Sequence, residues 1–145
     1  MKKAFLTAIT AGLFALNQMS FAATENFTVS LDAAQAGTVG AGGTGSGSGT
    51  LSYDTVASTL TLNNITYSGL SAPATAGHIH GPADTNTSAD VLQPFPGVSG
   101  TSGTVAGTLI LPQIQLTNVI DGMTYINIHT TNNPGGEIRG QVIFQ

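Results

Sequence analysis

Apolar and small polar side chains alternate along six stretches of this chain: Phe27-Thr28-Val29-Ser30-Leu31, Thr50-Leu51-Ser52-Tyr53, Leu60-Thr61-Leu62, Thr104 to Ile110, Tyr125 to His129 and Ile138 to Phe144. Successive side chains of an extended strand point to opposite faces, so this period of two, rich in Thr, Val, Ile and Tyr, predicts strands with one buried face. Turn-forming residues separate them at Asn63-Asn64, Ser68-Gly69, Gly81-Pro82, Pro96-Gly97, Asp121-Gly122 and Asn133-Pro134-Gly135-Gly136. A helical period is sustained nowhere. Ile114 to Ile120 allows a short helical turn, with Ile114, Leu116 and Val119 as its apolar contacts. The pattern predicts an all-β fold: a single Greek-key β-sandwich or barrel with at most one short helix.

Two stretches stand outside that pattern. At the N-terminus Lys2 and Lys3 precede an apolar run from Ala4 to Leu16, and Ser20-Phe21-Ala22 follows with small residues at both ends. This is the layout of a secretory signal peptide over residues 1–22, cut after Ala22, which leaves residues 23–145 as one exported domain, secreted or periplasmic. The run is short for a bilayer span, and no later segment is apolar enough to anchor the chain. The second stretch, residues 37–49, has seven Gly in thirteen residues and no charge, and is expected to be a surface loop between strands. No Lys follows it and no helical pattern opens after it, so it does not read as a phosphate cradle.

Charge narrows the function classes. Of three Lys or Arg, two belong to the signal peptide, so Arg139 is the only basic side chain left against seven acids. Nucleic-acid binding through phosphates needs a cluster of cations, and one Arg does not supply it. Without Cys the domain has no disulfides despite its expected oxidising compartment, and no thiol nucleophile. There is no G-x-S-x-G elbow, and Asp84 and Asp90 read as solvated turn residues, so no catalytic residue emerges.

Chemistry concentrates in two segments. All three His residues lie in Gly77-His78-Ile79-His80-Gly81-Pro82 and Tyr125-Ile126-Asn127-Ile128-His129-Thr130. On a strand His78 and His80 project to one face, an arrangement suited to half of a copper or zinc site, and His129 is the one remaining imidazole. If Ile126 and Ile128 face the core, then Tyr125, Asn127 and His129 share the opposite face. Residues 130–136 read as a hairpin loop, and the returning strand brings Glu137, Arg139 and Gln141 to the same side. The plain alternative is that these imidazoles only hydrogen-bond backbone, and that Glu137 and Arg139 pair with each other.

The same segments carry a family resemblance. Ala76 to Ala83, Tyr125 to Thr130 and Asn133-Pro134-Gly135-Gly136-Glu137-Ile138-Arg139-Gly140-Gln141 resemble the CHRD domain, named for its repeats in the developmental protein chordin and also found in secreted microbial proteins. Leu31-Asp32-Ala33-Ala34-Gln35 and Leu62 to Leu70 are similar to its opening strands. The chain departs from the family at Ala36-Gly37-Thr38-Val39 and at Asp84 to Ser88. The resemblance implies an extracytoplasmic all-β domain. A weaker resemblance is to copper-zinc superoxide dismutases, through His78, His80 and Arg139, without their disulfide Cys, zinc loop or full His set.

The expectation is therefore a non-enzymatic binding module in which His78, His80 and His129 hold one metal ion. Copper stands ahead of zinc on the all-imidazole set and the Irving–Williams order. Glu137, Arg139 and Asn127 stand behind the ligands, orienting an imidazole or shaping anion access. Two alternatives stay open: a purely structural or adhesive extracellular domain with a protein partner, and a superoxide dismutase-like copper enzyme in which Arg139 steers an anion.

Overall fold

A computed structural model describes residues 23–38 and 41–145; the expected signal peptide, residues 1–22, lies outside the described residues. The alternating stretches become strands, and two more join them. In chain order the elements are β1 (Thr24–Asp32), α1 (Ala33–Gly37), β2 (Ser46–Asp54), β3 (Thr59–Ser68), β4 (Ala74–His80), β5 (Val91–Pro94), β6 (Gly103–Ile110), a 3-10 turn (Gln113–Gln115), α2 (Leu116–Ile120), β7 (Tyr125–Thr130) and β8 (Ile138–Phe144). The eight strands form one antiparallel sheet in the order β5-β4-β7-β8-β1-β2-β3-β6. It curls into a nearly closed barrel whose seam lies between β5 and β6. The connections β3 to β4, β5 to β6 and β6 to β7 join strands that are not neighbours in the sheet, which gives the Greek-key path.

The inner face follows the alternation. Phe27, Val29 and Leu31 of β1, Leu51 and Tyr53 of β2, Leu60 and Leu62 of β3, Ile126 and Ile128 of β7 and Ile138 and Val142 of β8 are all buried in one cluster. Leu111, Leu116 and Val119 complete the cluster at the start of α2 and just before it. Tyr53 buries its ring and still satisfies its hydroxyl, which donates to Leu111 O at 2.9 Å.

Several local expectations change. Two short helices form rather than one. Asp32 caps α1: Gln35 N–H donates to Asp32 Oδ1 at 2.7 Å and the Gln35 side chain returns to Asp32 Oδ2 at 2.9 Å, a reciprocal cap for a run of Ala. Ile114 is 82% exposed rather than an apolar contact, because it stands two residues before Leu116, on the other face of the helical segment, and only Leu116 and Val119 turn inward.

Asn63-Asn64 makes a bulge inside β3 rather than a turn, with Asn64 at φ +53° and inward-facing Leu62 and Ile65 three residues apart. The Gly-rich stretch is loop only in part. Gly37 ends α1, and from Ser46 the chain is β2, where Gly47 and Gly49 let β2 lie close against β3: a side chain on Gly49 would meet Ile65 Cα at 2.7 Å.

Candidate metal centre

Ile79, Ile126, Ile128 and Ile138 point into the barrel, so their neighbours must point out of it. The antiparallel register then sets those neighbours in rows across β4, β7 and β8. His80 lies opposite Tyr125, which lies opposite Gln141; His78 lies opposite Asn127, which lies opposite Arg139; His129 lies opposite Ala76. This outer face is not solvated. Tyr125, Asn127, Arg139, Gln141 and His80 are all buried, because residues 81–90 and α1 fold over them. A polar layer therefore sits outside the apolar core, with the imidazoles at its edge.

The three imidazoles converge: one ring nitrogen from each of His78, His80 and His129 lies within 4.8 Å of the others. His78 Nδ1 and His129 Nε2 are 3.0 Å apart. His129 Nδ1 donates to Pro134 O at 2.8 Å, which fixes the tautomer and leaves Nε2 as the lone-pair nitrogen. His78 Nδ1–H therefore donates to it, and the two imidazoles share one proton.

The third imidazole is differently engaged. His80 Nδ1 donates to Ala89 O at 2.9 Å and Nε2 meets the Asn127 side-chain amide at 3.0 Å, whose NH2 it accepts from when the ring is neutral. Nitrogens bound about 2.0–2.1 Å from one ion lie no more than about 4.2 Å apart. Closing the set onto an ion therefore requires His80 to move toward the other two imidazoles and release one of these bonds.

Burial, and then the neighbouring imidazoles His129 and His80, hold the His78 pKa below the usual imidazole value. Burial also lowers that of His129, against the opposing bond to Pro134 O and with a smaller contribution from His80. Both effects favour neutral rings, the form that ligates metal.

Asn127 touches an imidazole directly, whereas Glu137 and Arg139 do not. Arg139 is 2% exposed; it donates to Thr87 O at 2.9 Å, to Asp84 O at 2.6 Å and to Gln141 Oε1 at 3.0 Å. Its Cζ lies 3.6 Å from the Tyr125 ring centroid, and Tyr125 stacks on His80 with centroids 4.7 Å apart and planes 1° apart. Arg139 thus supports an imidazole only through Tyr125. The alternative Glu137–Arg139 pair is absent among the described residues, and Glu137 turns to the loops before β8.

There the Glu137 carboxylate accepts from Thr130 Oγ1 at 2.6 Å, from the backbone and hydroxyl of Ser71, and from those of Thr44 at 3.1 and 3.2 Å. It ties two loops to the end of β7. Burial alone raises the pKa of this carboxylate, yet the donors together outweigh it and bring the pKa down to about 2. The folded value is below the unfolded one of about 4.5, so the stabilisation is complete above about pH 4.5 and is lost as pH falls toward 2. Its size is at most about 3 kcal/mol, less whatever solvent screening removes. Glu137→Gln is expected to lower the unfolding free energy at pH 7 and to flatten its dependence on pH between about 4.5 and 2. Urea titrations at a series of pH values check this; parallel curves for the two proteins would exclude the role.

The β4–β7 register brings His78, His80 and His129 together, and Asn127 joins them. Tyr125 and Gln141, equally part of the layer, have no signal in composition; the register alone places them beside His80 and Arg139. The backbone acceptors Ala89 O and Pro134 O carry no signature of residue type at all.

Fold and site together define a Greek-key β-barrel whose outer face carries a buried polar layer edged by three imidazoles. The family model of the CHRD domain matches residues 27–142, from β1 into β8, and the chain belongs to that family. No curated protein and no solved structure matches the chain.

Proposed function

We propose that this CHRD-domain protein is an exported, non-enzymatic binding module that holds one metal ion on His78, His80 and His129, copper ahead of zinc. The observation that carries the reading is the 3.0 Å approach of His78 Nδ1 to His129 Nε2, with the His129 tautomer set by Pro134 O. Loss of the proton that His78 Nδ1 donates to His129 Nε2 frees both nitrogens for one ion and forms the first half of a site, and the all-imidazole set favours copper. His80 completes it by pivoting away from Asn127.

Metal content of protein purified from its native export compartment, measured beside His129→Ala, tests the reading. The wild type is expected to carry close to one copper per chain and the variant at least tenfold less. Equal content in both would end the hypothesis. For zinc the same experiment would return zinc in the wild type and none in the variant.

A structural role as an extracellular interaction domain is the second reading, favoured by the full hydrogen bonding of His80 to Ala89 O and Asn127. Superoxide dismutase-like chemistry has less support. Arg139 is buried and committed to the carbonyls of Asp84 and Thr87, rather than free to greet an anion arriving from solvent. Superoxide consumption by copper-loaded protein above that of free copper would favour the enzyme.

A further inference from the structure

His80 and His129 are set up alike. Each gives its Nδ1 proton to a backbone carbonyl, Ala89 O at 2.9 Å and Pro134 O at 2.8 Å, and each keeps its Nε2 lone pair for another group. What sits at that lone pair differs. His129 Nε2 faces His78 Nδ1, on an imidazole that can itself become a ligand, whereas His80 Nε2 faces the side-chain amide of Asn127 at 3.0 Å. An amide NH2 has protons but no lone pair to offer a metal ion, so it competes with the ion for His80. The contact is buried, with Asn127 5% and His80 7% exposed, so the bond forms in a poorly polarisable setting where it counts for more than at the surface.

His80 is otherwise well fixed. Its ring lies flat on Tyr125, and Ala89, which accepts the His80 proton, also donates its N–H to the Tyr125 hydroxyl at 3.2 Å. Stack and carbonyl guide the ring without touching Nε2, so Asn127 is the group that must leave for that nitrogen to ligate. It has space to turn. Gly136, at φ +118°, presents no side chain to the amide, and a carbon there would stand 3.0 Å from it; a cavity of about 20 Å³ lined by Asn127, Tyr125 and Gly136 among others adjoins. We propose that Asn127 is the gate of the imidazole site: its amide occupies His80 Nε2 in the metal-free protein, withdraws when an ion binds, and so lowers metal affinity rather than orienting a ligand. This gate presupposes the metal site on His78, His80 and His129 and sets how tightly that site holds its ion.

Copper(II) affinities of the wild type and of Asn127→Ala are measured against a competing chelator, with His129→Ala beside them. Asn127→Ala is expected to bind copper about threefold to tenfold more tightly than wild type, the worth of one neutral hydrogen bond, although it loses stability. A residue that merely supports the fold or orients His80 would weaken binding instead. Asn127→Leu keeps the volume of the asparagine without its hydrogen bond, and is expected to shift affinity in the same direction should the alanine variant not fold. Crystal structures of metal-free and copper-loaded wild type are expected to show the amide on His80 Nε2 in the first and off it in the second, with the bond to Ala89 O kept in both. Equal or weaker copper binding by the Asn127 variants, or an amide still on His80 Nε2 in the loaded protein, would overturn the gate and leave the metal site standing. Copper binding that His129→Ala does not change would overturn the site itself and the gate with it.

Discussion

Arg139→Ala is expected to lower the unfolding free energy by about 3–5 kcal/mol, the largest effect of any polar substitution in the domain. Arg139 is one of the largest fully buried side chains of the protein. Its three hydrogen bonds are charge-assisted, and two of them tie β8 to Asp84 and Thr87 in the segment that covers the imidazole face. Bonds of that kind are worth roughly 1.5–3 kcal/mol each when a partner is removed, and an alanine also leaves a void under Tyr125. Arg139→Lys keeps the charge without the planar fork, and about half the loss is expected. Urea unfolding of the three proteins reads the effect. A variant within about 0.5 kcal/mol of wild type would mean that the covering segment holds without this anchor.

Gly140→Ala is expected to be as damaging, although it adds a single methyl group. A side-chain carbon at Gly140 would run into the carbonyl oxygen of Ser30 on β1 and stand 2.7 Å from its carbonyl carbon, with Val29 Cγ2 at 2.9 Å. The obstacle is backbone and cannot rotate aside, so β1 and β8 would have to separate where Val29 pairs with Val142 and Asp32 with Arg139. Forcing atoms into a packed interior costs about 1–3 kcal/mol where side chains can yield, and here none can. The expected outcome is a loss of about 3 kcal/mol or more, or no soluble protein. Gly135→Ala is the control: it is exposed, and its nearest neighbour would be Ala41 Cβ at an ordinary 3.4 Å. Thermal melts that coincide for wild type and Gly140→Ala would show that the two strands tolerate a wider spacing.

These two neighbours in the most specific segment of the chain show what a sequence can and cannot carry. That Ile138, Val142 and the intervening residues form a strand is legible from alternation, which depends only on the period of the extended chain. That His78 and His80 share a face is legible for the same reason. The pairing of β7 with β8 can be read as well, since residues 130–136 are a short loop with turn residues and the apolar faces must match. The partnership of β4 with β7 cannot, because β5, β6 and α2 intervene in the chain, and neither turn chemistry nor periodicity reaches across them. Ile114 illustrates a smaller failure: two residues before Leu116 on a helical segment, it lies on the opposite face and goes to solvent.

Charge pairing was the least legible part. Glu137 and Arg139 are two apart on one strand and of opposite sign, so same-face pairing is the natural expectation. The fold supplies each with better partners: hydroxyls and amides of Ser71, Thr44 and Thr130 for the carboxylate, and loop carbonyls for the guanidinium. Those donors and acceptors come from loops remote in sequence and mostly from backbone, which has the same chemistry at every residue.

By itself the sequence determined the all-β class, most of the strands, the three imidazoles as the candidate ligands and the family, because each rests on local periodicity, residue type or a contiguous motif. Tertiary structure alone decided that His129 meets His78 at 3.0 Å, that His80 is held by Asn127 and stacked on Tyr125, and that Arg139 is buried without a carboxylate beside a small cavity. The reason is physical. These relations depend on which distant strands pair and on which loop folds over their outer face, and the chain specifies both only through the packing of the whole barrel.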